Sequence, residues 1–153
     1  MKKGKRYNIV KRNIALSILL GMFLNSMSFA NSLIKTRDGS TARVITAPNG
    51  TPMIELANPG NSGVSVNDFD RLSVDEKNLI LNNISSKEGI GYRSELGGII
   101  APNENYTGNP ARAILLRVHK DSSVINGFIE AASTGKVDMF LSNPNGIYLN
   151  GGL

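Results

Sequence analysis

Residues with reactive side chains are few and widely spaced in this chain. Asp68 and Asp70, and Asp75 and Glu76, are the only close acidic pairs. Paired carboxylates can serve as acid and as nucleophile or base in glycoside hydrolysis, and such pairs occur on solenoid enzymes that cleave polysaccharides. Carboxylates two apart on one polar strand face are ordinarily solvated, so the expectation here is no catalytic residue. His119 is the only histidine, and with no cysteine and no second histidine to share a metal it reads as an exposed loop residue. There is no nucleophile motif, no glycine-rich phosphate loop before a helix and no metal-ligand spacing, so no cofactor is expected. The most concentrated local chemistry is that of a turn, Asn143-Pro144-Asn145-Gly146-Ile147. Asn at i, Pro at i+1, Asn at i+2 and Gly at i+3 suit a type I or II β-turn. That stretch can be a structural corner, a recognition element, or both.

The segments around this turn alternate as strands do. Val137, Met139 and Leu141 alternate with Lys136, Asp138 and Phe140 before it, and Ile147 and Leu149 follow it. Upstream, Arg43 to Ala47 is a short strand, Pro48-Asn49-Gly50 a turn, and Met53 to Ala57 a strand with Ile54 and Leu56 on one side. Asn58-Pro59-Gly60-Asn61 repeats the corner chemistry, with Gly where a type II turn wants it. Val64 and Val66 are expected on a buried face opposite Ser65 and Asn67, and Leu79 and Leu81 opposite Ile80 and Asn82. Ile84 to Arg93 reads as a polar loop. Ile114, Leu116 and Val118 share one strand face, and Ile125, Gly127, Ile129 and Ala131 another. No helical stretch is expected beyond residue 31. Strands at roughly ten-residue spacing exclude the βαβ classes and leave a sandwich, a barrel or a parallel solenoid. Asn49, Asn58, Asn103 and Asn143 recur at bends, where stacked Asn side chains could form ladders between coils.

The N-terminus has a separate logic. Lys2, Lys3, Lys5, Arg6, Lys11 and Arg12 precede an apolar run of eleven residues, Ile14 to Leu24, and Ser28-Phe29-Ala30 is a small-x-small signal. This predicts a helical signal peptide over residues 1–30, cleaved between Ala30 and Asn31; the apolar run is shorter than the ~20 residues that span a bilayer. Those six basic residues belong to the 17 Lys and Arg of the chain, so eleven remain against twelve Asp and Glu, a net charge of −1. The high pI is therefore a property of the leader, and nucleic acid is not an expected partner. With no cysteine in an exported chain, stability must come from burial and backbone hydrogen bonds. Residues 31–42 read as an exposed N-terminal arm and 43–153 as one β domain, apparently truncated at its C-terminal end.

Three stretches carry a resemblance. Leu56-Ala57-Asn58-Pro59-Gly60-Asn61-Ser62-Gly63-Val64-Ser65-Val66-Asn67-Asp68-Phe69 is followed by Leu72-Ser73-Val74 and by Asn78-Leu79-Ile80-Leu81-Asn82-Asn83. Ile125 to Glu130, Lys136 to Ser142 and Asn143 to Ile147 complete the set. Together they resemble the two-partner-secretion domain of filamentous-haemagglutinin-like exoproteins over about residues 43 to 152. The resemblance implies an all-β, right-handed parallel β-helix with extra strands outside the coils. It also implies delivery by the inner-membrane export machinery to the periplasm. There the periplasmic domains of an outer-membrane β-barrel transporter would recognise the domain, which would end up secreted or held at the cell surface. Partner recognition would involve Asn143, Pro144, Asn145, Gly146 and Ile147, with Asn103 and Asn105 at a second corner. In that family the second corner usually reads Asn-Pro-Asn-Leu, whereas here Glu104 replaces Pro and Tyr106 replaces Leu, which predicts a looser corner. Adhesion, haemolysis, haem capture and contact-dependent inhibition are all compatible with such a beginning. The alternative is a secreted carbohydrate-active β-solenoid enzyme using the Asp68 or Asp75 region.

Overall fold

The computed structural model describes residues 33–151; the signal-peptide reading and its cleavage site at Ala30 and Asn31 lie outside the described residues. The described chain winds into three coils, each with three faces. The first coil runs through β3 (Pro52–Glu55), β4 (Val64–Leu72) and Val74. The second uses β5 (Leu79–Asn82), β8 (Ala113–Val118) and β9 (Ser123–Ile125). The third uses β10 (Ile129–Ala132), β11 (Asp138–Ser142) and β12 (Ile147–Leu149). Like faces stack in parallel: β3–β5–β10, β4–β8–β11, and Val74–β9–β12. This parallel stacking is that of a β-helix, and it leaves out the sandwich and the barrel.

Inside the coils Ile54, Leu56, Phe69, Leu72, Leu79, Leu81, Ile114, Leu116 and Val118 form the core, each at most 1% exposed. Burying each large apolar side chain is worth about 1.5–3 kcal/mol. The short strands are held by this shared interior more than by their own ladders. Two antiparallel strands, β1 (Ile34–Thr36) on β4 and β2 (Arg43–Thr46) on β3, cover the edge of the first coil. β1 lies within the segment expected to be an exposed arm. Its Ile34 is buried against the core, and a single apolar position in a polar stretch carries no periodic signal.

Two strands depart from the simple alternation. In β4 the inward residues near its start are Ser65 and Asn67, both fully buried, while Val64 and Val66 are over a third exposed. This reverses the expected facing, and the reason is the bend at Ala57. Ser65 Oγ donates to the Ala57 carbonyl at 2.6 Å, and Asn67 Oδ1 accepts from the Ala57 N–H at 2.9 Å. The bend leaves Ala57 without a strand partner, and a buried unpaired backbone group is costly. Further along, the β1–β4 register slips between Lys35 and Thr36, skipping Asp70. That irregularity shifts the phase so that Phe69 and Leu72, three apart, both face the core. The second departure is β5, whose four residues are all buried. Leu79 and Leu81 enter the interior, while Ile80 packs outward with Ala47, Met53, Ile100 and Ala132. Covering that outer face is a hairpin of β6 (Tyr92–Ser94) and β7 (Gly98–Ile100), inserted between β5 and β8. Glu130 of β10 clamps it by accepting from Ser94 Oγ at 2.6 Å and from the Leu96 N–H at 2.9 Å. These are the extra strands outside the coils.

The Asn ladder also differs from expectation. None of Asn49, Asn58, Asn103 and Asn143 bonds another of the four; they bond Leu96 O, Thr107 Oγ1, Leu56 O and Asp121 O respectively. An Asn–Asn contact between successive coils occurs instead at Asn150 Nδ2 and Asn126 Oδ1, 3.0 Å apart. Stacking requires equal positions in adjacent coils, and the four corner residues do not occupy equal positions.

Candidate recognition surface

The corner between β11 and β12 is built by Asn143. Its Oδ1 accepts from the Asn145 N–H at 2.9 Å, and its carbonyl accepts from the Gly146 N–H at 3.2 Å. Asn145 has no positive φ, so the turn is of type I and not type II. Gly146 takes φ 109°, beneath the Tyr148 ring. Asn143 Nδ2 ties the corner to the second coil through Asp121 O and Ser123 Oγ, both at 2.9 Å, and the Ser123 N–H donates to Gly146 O at 3.0 Å. The Asn145 side chain only folds back on Asn143 Oδ1, at 3.2 Å. Pro144, Asn145 and Ile147 are exposed. The corner thus has an anchored base, Asn143, and a free crest.

The second corner has the same construction. Asn103 Oδ1 accepts from the Asn105 N–H at 2.9 Å, and Asn103 O accepts from the Tyr106 N–H at 3.2 Å. The expectation that Glu104 and Tyr106 loosen this corner is corrected. Unlike Pro, Glu104 keeps an N–H, and it donates to the buried Glu55 carboxylate at 2.7 Å. Tyr106 is buried and its hydroxyl donates to Asn83 Oδ1 at 2.8 Å. Burial holds that phenol well above its usual range, so it remains a donor. Asn103 is itself 2% exposed and donates to Leu56 O and Asn82 O, while Asn105 Nδ2 reaches Thr41, Glu55 and Leu56 carbonyls. Asn103 therefore has an interior role, and the two corners share no hydrogen-bond partner. Asp75 makes a third copy of the turn, with its Oδ1 accepting from the Lys77 N–H and its carbonyl from the Asn78 N–H.

Asp68 and Asp70 are held by cations. Arg117 grips Asp68 with two bonds, at 2.8 and 2.7 Å, and His119 Nε2 lies 2.6 Å from Asp68 Oδ1. Lys120 Nζ is 2.8 Å from Asp70 Oδ2, and Arg37 is 3.4 Å from Asp70 Oδ1. Arg117 before His119 draws Asp68 below the usual carboxylate range, and Lys120 does the same for Asp70. A glycosidase acid needs the opposite shift, toward neutrality. Asp68 and Asp70 are thus drawn away from the protonated state that an acid catalyst needs, and Asp75 is engaged in its turn.

Comparison with known proteins bears on the geometry directly. Residues 31–153 match the TPS secretion domain family. The chain belongs to that family. This secretion domain is 34% identical over 119 residues to the tRNA nuclease CdiA of Yersinia mollaretii, which is 77% of this chain and 4% of that protein. It is 34% identical over 110 residues to the filamentous hemagglutinin of Bordetella pertussis, 71% of this chain and 3% of that protein. The crystal structure of a filamentous hemagglutinin secretion domain superposes with a TM-score of 0.65 at 31% identity, covering 77% of this chain and 37% of that one. The β-helix is therefore shared. The chain spans only a few per cent of the length of these two relatives.

Sequence reasoning missed Ser65, Asn67, Glu55 and Asn83, the buried polar residues that fix the corners. Ser65 and Asn67 alternate with two valines, so the apolar pattern masked them. Asn82-Asn83 was visible as a polar pair ending an apolar strand, which is the one available signal.

Proposed function

We propose that this secretion domain is the part of a larger exoprotein that an outer-membrane two-partner-secretion transporter recognises through its periplasmic domains. In this reading the inner-membrane export machinery delivers the chain to the periplasm, and recognition by the transporter starts translocation to the cell surface. The observation that carries the reading is the family match over residues 31–153, and the Asn143–Ile147 corner supplies a surface suited to it. That corner offers an exposed crest, Pro144 and Asn145, whose side chains make a single bond to the rest of the fold, from Asn145 Nδ2 to Asn143 Oδ1. Recognition then costs little ordering entropy, and no bond is made or broken in the domain. Adhesion, nuclease activity or any other action of the full exoprotein would belong to segments other than this one. The test is capture of residues 31–153 by the immobilised periplasmic domains of a two-partner-secretion transporter from the same organism. Saturable capture supports the reading, and its absence with a folded domain counts against it.

A further inference from the structure

We propose that the cleft between the Asn58–Gly63 turn and the Thr107–Arg112 loop is an anion site, in which Lys87 and Arg112 receive the carboxylates of an acidic peptide segment. The cleft has a volume of about 520 Å³, within the range of roughly 300–1,000 Å³ usual for ligand sites. No carboxylate lines it, and apart from the two cations and Pro110 its walls are Asn, Thr and Gly.

Arg112 and Lys87 meet no carboxylate among the described residues, which is also true of Arg93, Lys77 and Lys136, and the two of them line one cleft together. An acid is at hand beside Lys87, yet Glu88 turns away to accept from the Ser85 N–H at 3.1 Å. Arg112 spends one donor on Ser62 O at 3.2 Å. Its guanidinium lies over Gly63, where a Cβ would come within 2.7 Å of Nε. A guanidinium carries five donors in a planar fork that matches a carboxylate, and the bond to Ser62 O takes one of them, so this exposed side chain keeps donors for a ligand.

The walls are fixed before any ligand arrives. Asn58 Nδ2 donates to Thr107 Oγ1 at 2.8 Å, the Arg112 N–H donates to Gly63 O at 2.8 Å, and Ser85 Oγ donates to Gly108 O at 2.5 Å. The lining has no aromatic platform for a sugar ring and no apolar wall for an acyl chain. A polar, extended acidic segment fits what is left. Taking that segment from the transporter's periplasmic domains rests on the function proposed above.

The test uses residues 31–153 as wild type, Lys87→Gln, Arg112→Lys and the Lys87→Gln/Arg112→Gln double variant. Each is titrated with the periplasmic domains, with hexaglutamate, and with vesicles containing anionic phospholipid, at several salt concentrations. Lys87 is exposed and unpaired, so its variant should keep the wild-type circular dichroism. The expectation is binding of both the domains and hexaglutamate, weakened about threefold in each single variant and about tenfold in the double, with a flatter salt dependence. Equal affinity of wild type and double variant for the domains and for hexaglutamate would overturn the cleft assignment and leave the transporter reading intact. Hexaglutamate binding without any binding of the domains would keep the cleft as an anion site and remove the transporter as its partner. Vesicle binding that the double variant loses, without hexaglutamate binding, would overturn the peptide assignment in favour of a lipid headgroup.

Discussion

Glu104 stands where the related pattern has proline, and its effect can be weighed. Glu104→Pro would restrict the unfolded chain, a gain of about 0.4–1 kcal/mol. It would also remove the N–H that the buried Glu55 carboxylate accepts at 2.7 Å, and hydrogen bonds to charged groups contribute about 1.5–3 kcal/mol. The loss is larger, so urea unfolding should show the variant destabilised by roughly 1 kcal/mol or more; a stabilised variant would contradict the account of this corner. Asp68 gives a pH prediction. Its folded pKa is depressed, chiefly by Arg117, so its stabilisation is present above the ordinary carboxylate value of 3.8 and is lost as pH falls through the lower folded value. Unfolding midpoints measured from about pH 6 down to 2 should fall less steeply for Asp68→Asn than for wild type. The Asn143 turn was legible in the sequence because Asn, Pro and Gly act on their own backbone. The inward placement of Ser65 and Asn67 was not: the Asn58–Asn61 corner shows in the residue types, but the need of Ala57 before it for side-chain partners from β4 does not.

Gly127 packs tightly against the backbone of the preceding coil. A Cβ there would lie 2.0 Å from the Asp75 carbonyl oxygen, which is backbone and cannot swing aside, whereas at Gly135 nothing lies within 4 Å. Gly127→Ala should therefore cost more than about 2 kcal/mol in chemical unfolding while Gly135→Ala changes stability by less than about 1. Similar losses at both positions would mean that the coil spacing is softer than described. Strand β8 is readable from alternation, since Ile114, Leu116 and Val118 share one buried face. The periodicity of β5 shows one buried face only, because the cover on its outer side comes from the β6–β7 hairpin further along the chain, which begins in a stretch that reads as polar loop. β1 escaped notice because three residues are too few to show a period.

Strand spacing leaves three architectures open, and the family resemblance selects the solenoid among them. Long-range register is what separates a solenoid from a sandwich, and single-sequence periodicity does not encode it. Among the described residues, β10, β11 and β12 are each paired on one side only. Ile147 and Leu149, in register with buried Ser123 and Ile125, are 39% and 53% exposed. Exposed apolar edge strands pair with other chains, so residues 31–153 should self-associate as concentration rises. A sizing series that finds a monomer throughout, with one cooperative melt, would contradict this. Reading of the Asn143–Ile147 crest by the transporter can be measured by calorimetric titration of the transporter's periplasmic domains with wild type and Asn145→Ala, beside their circular dichroism spectra. Asn145 contributes only one side-chain bond to the fold, at 3.2 Å, so the account predicts unchanged spectra and binding weakened by about tenfold. Unchanged binding, or loss of fold and binding together, would show that the corner is a structural turn alone.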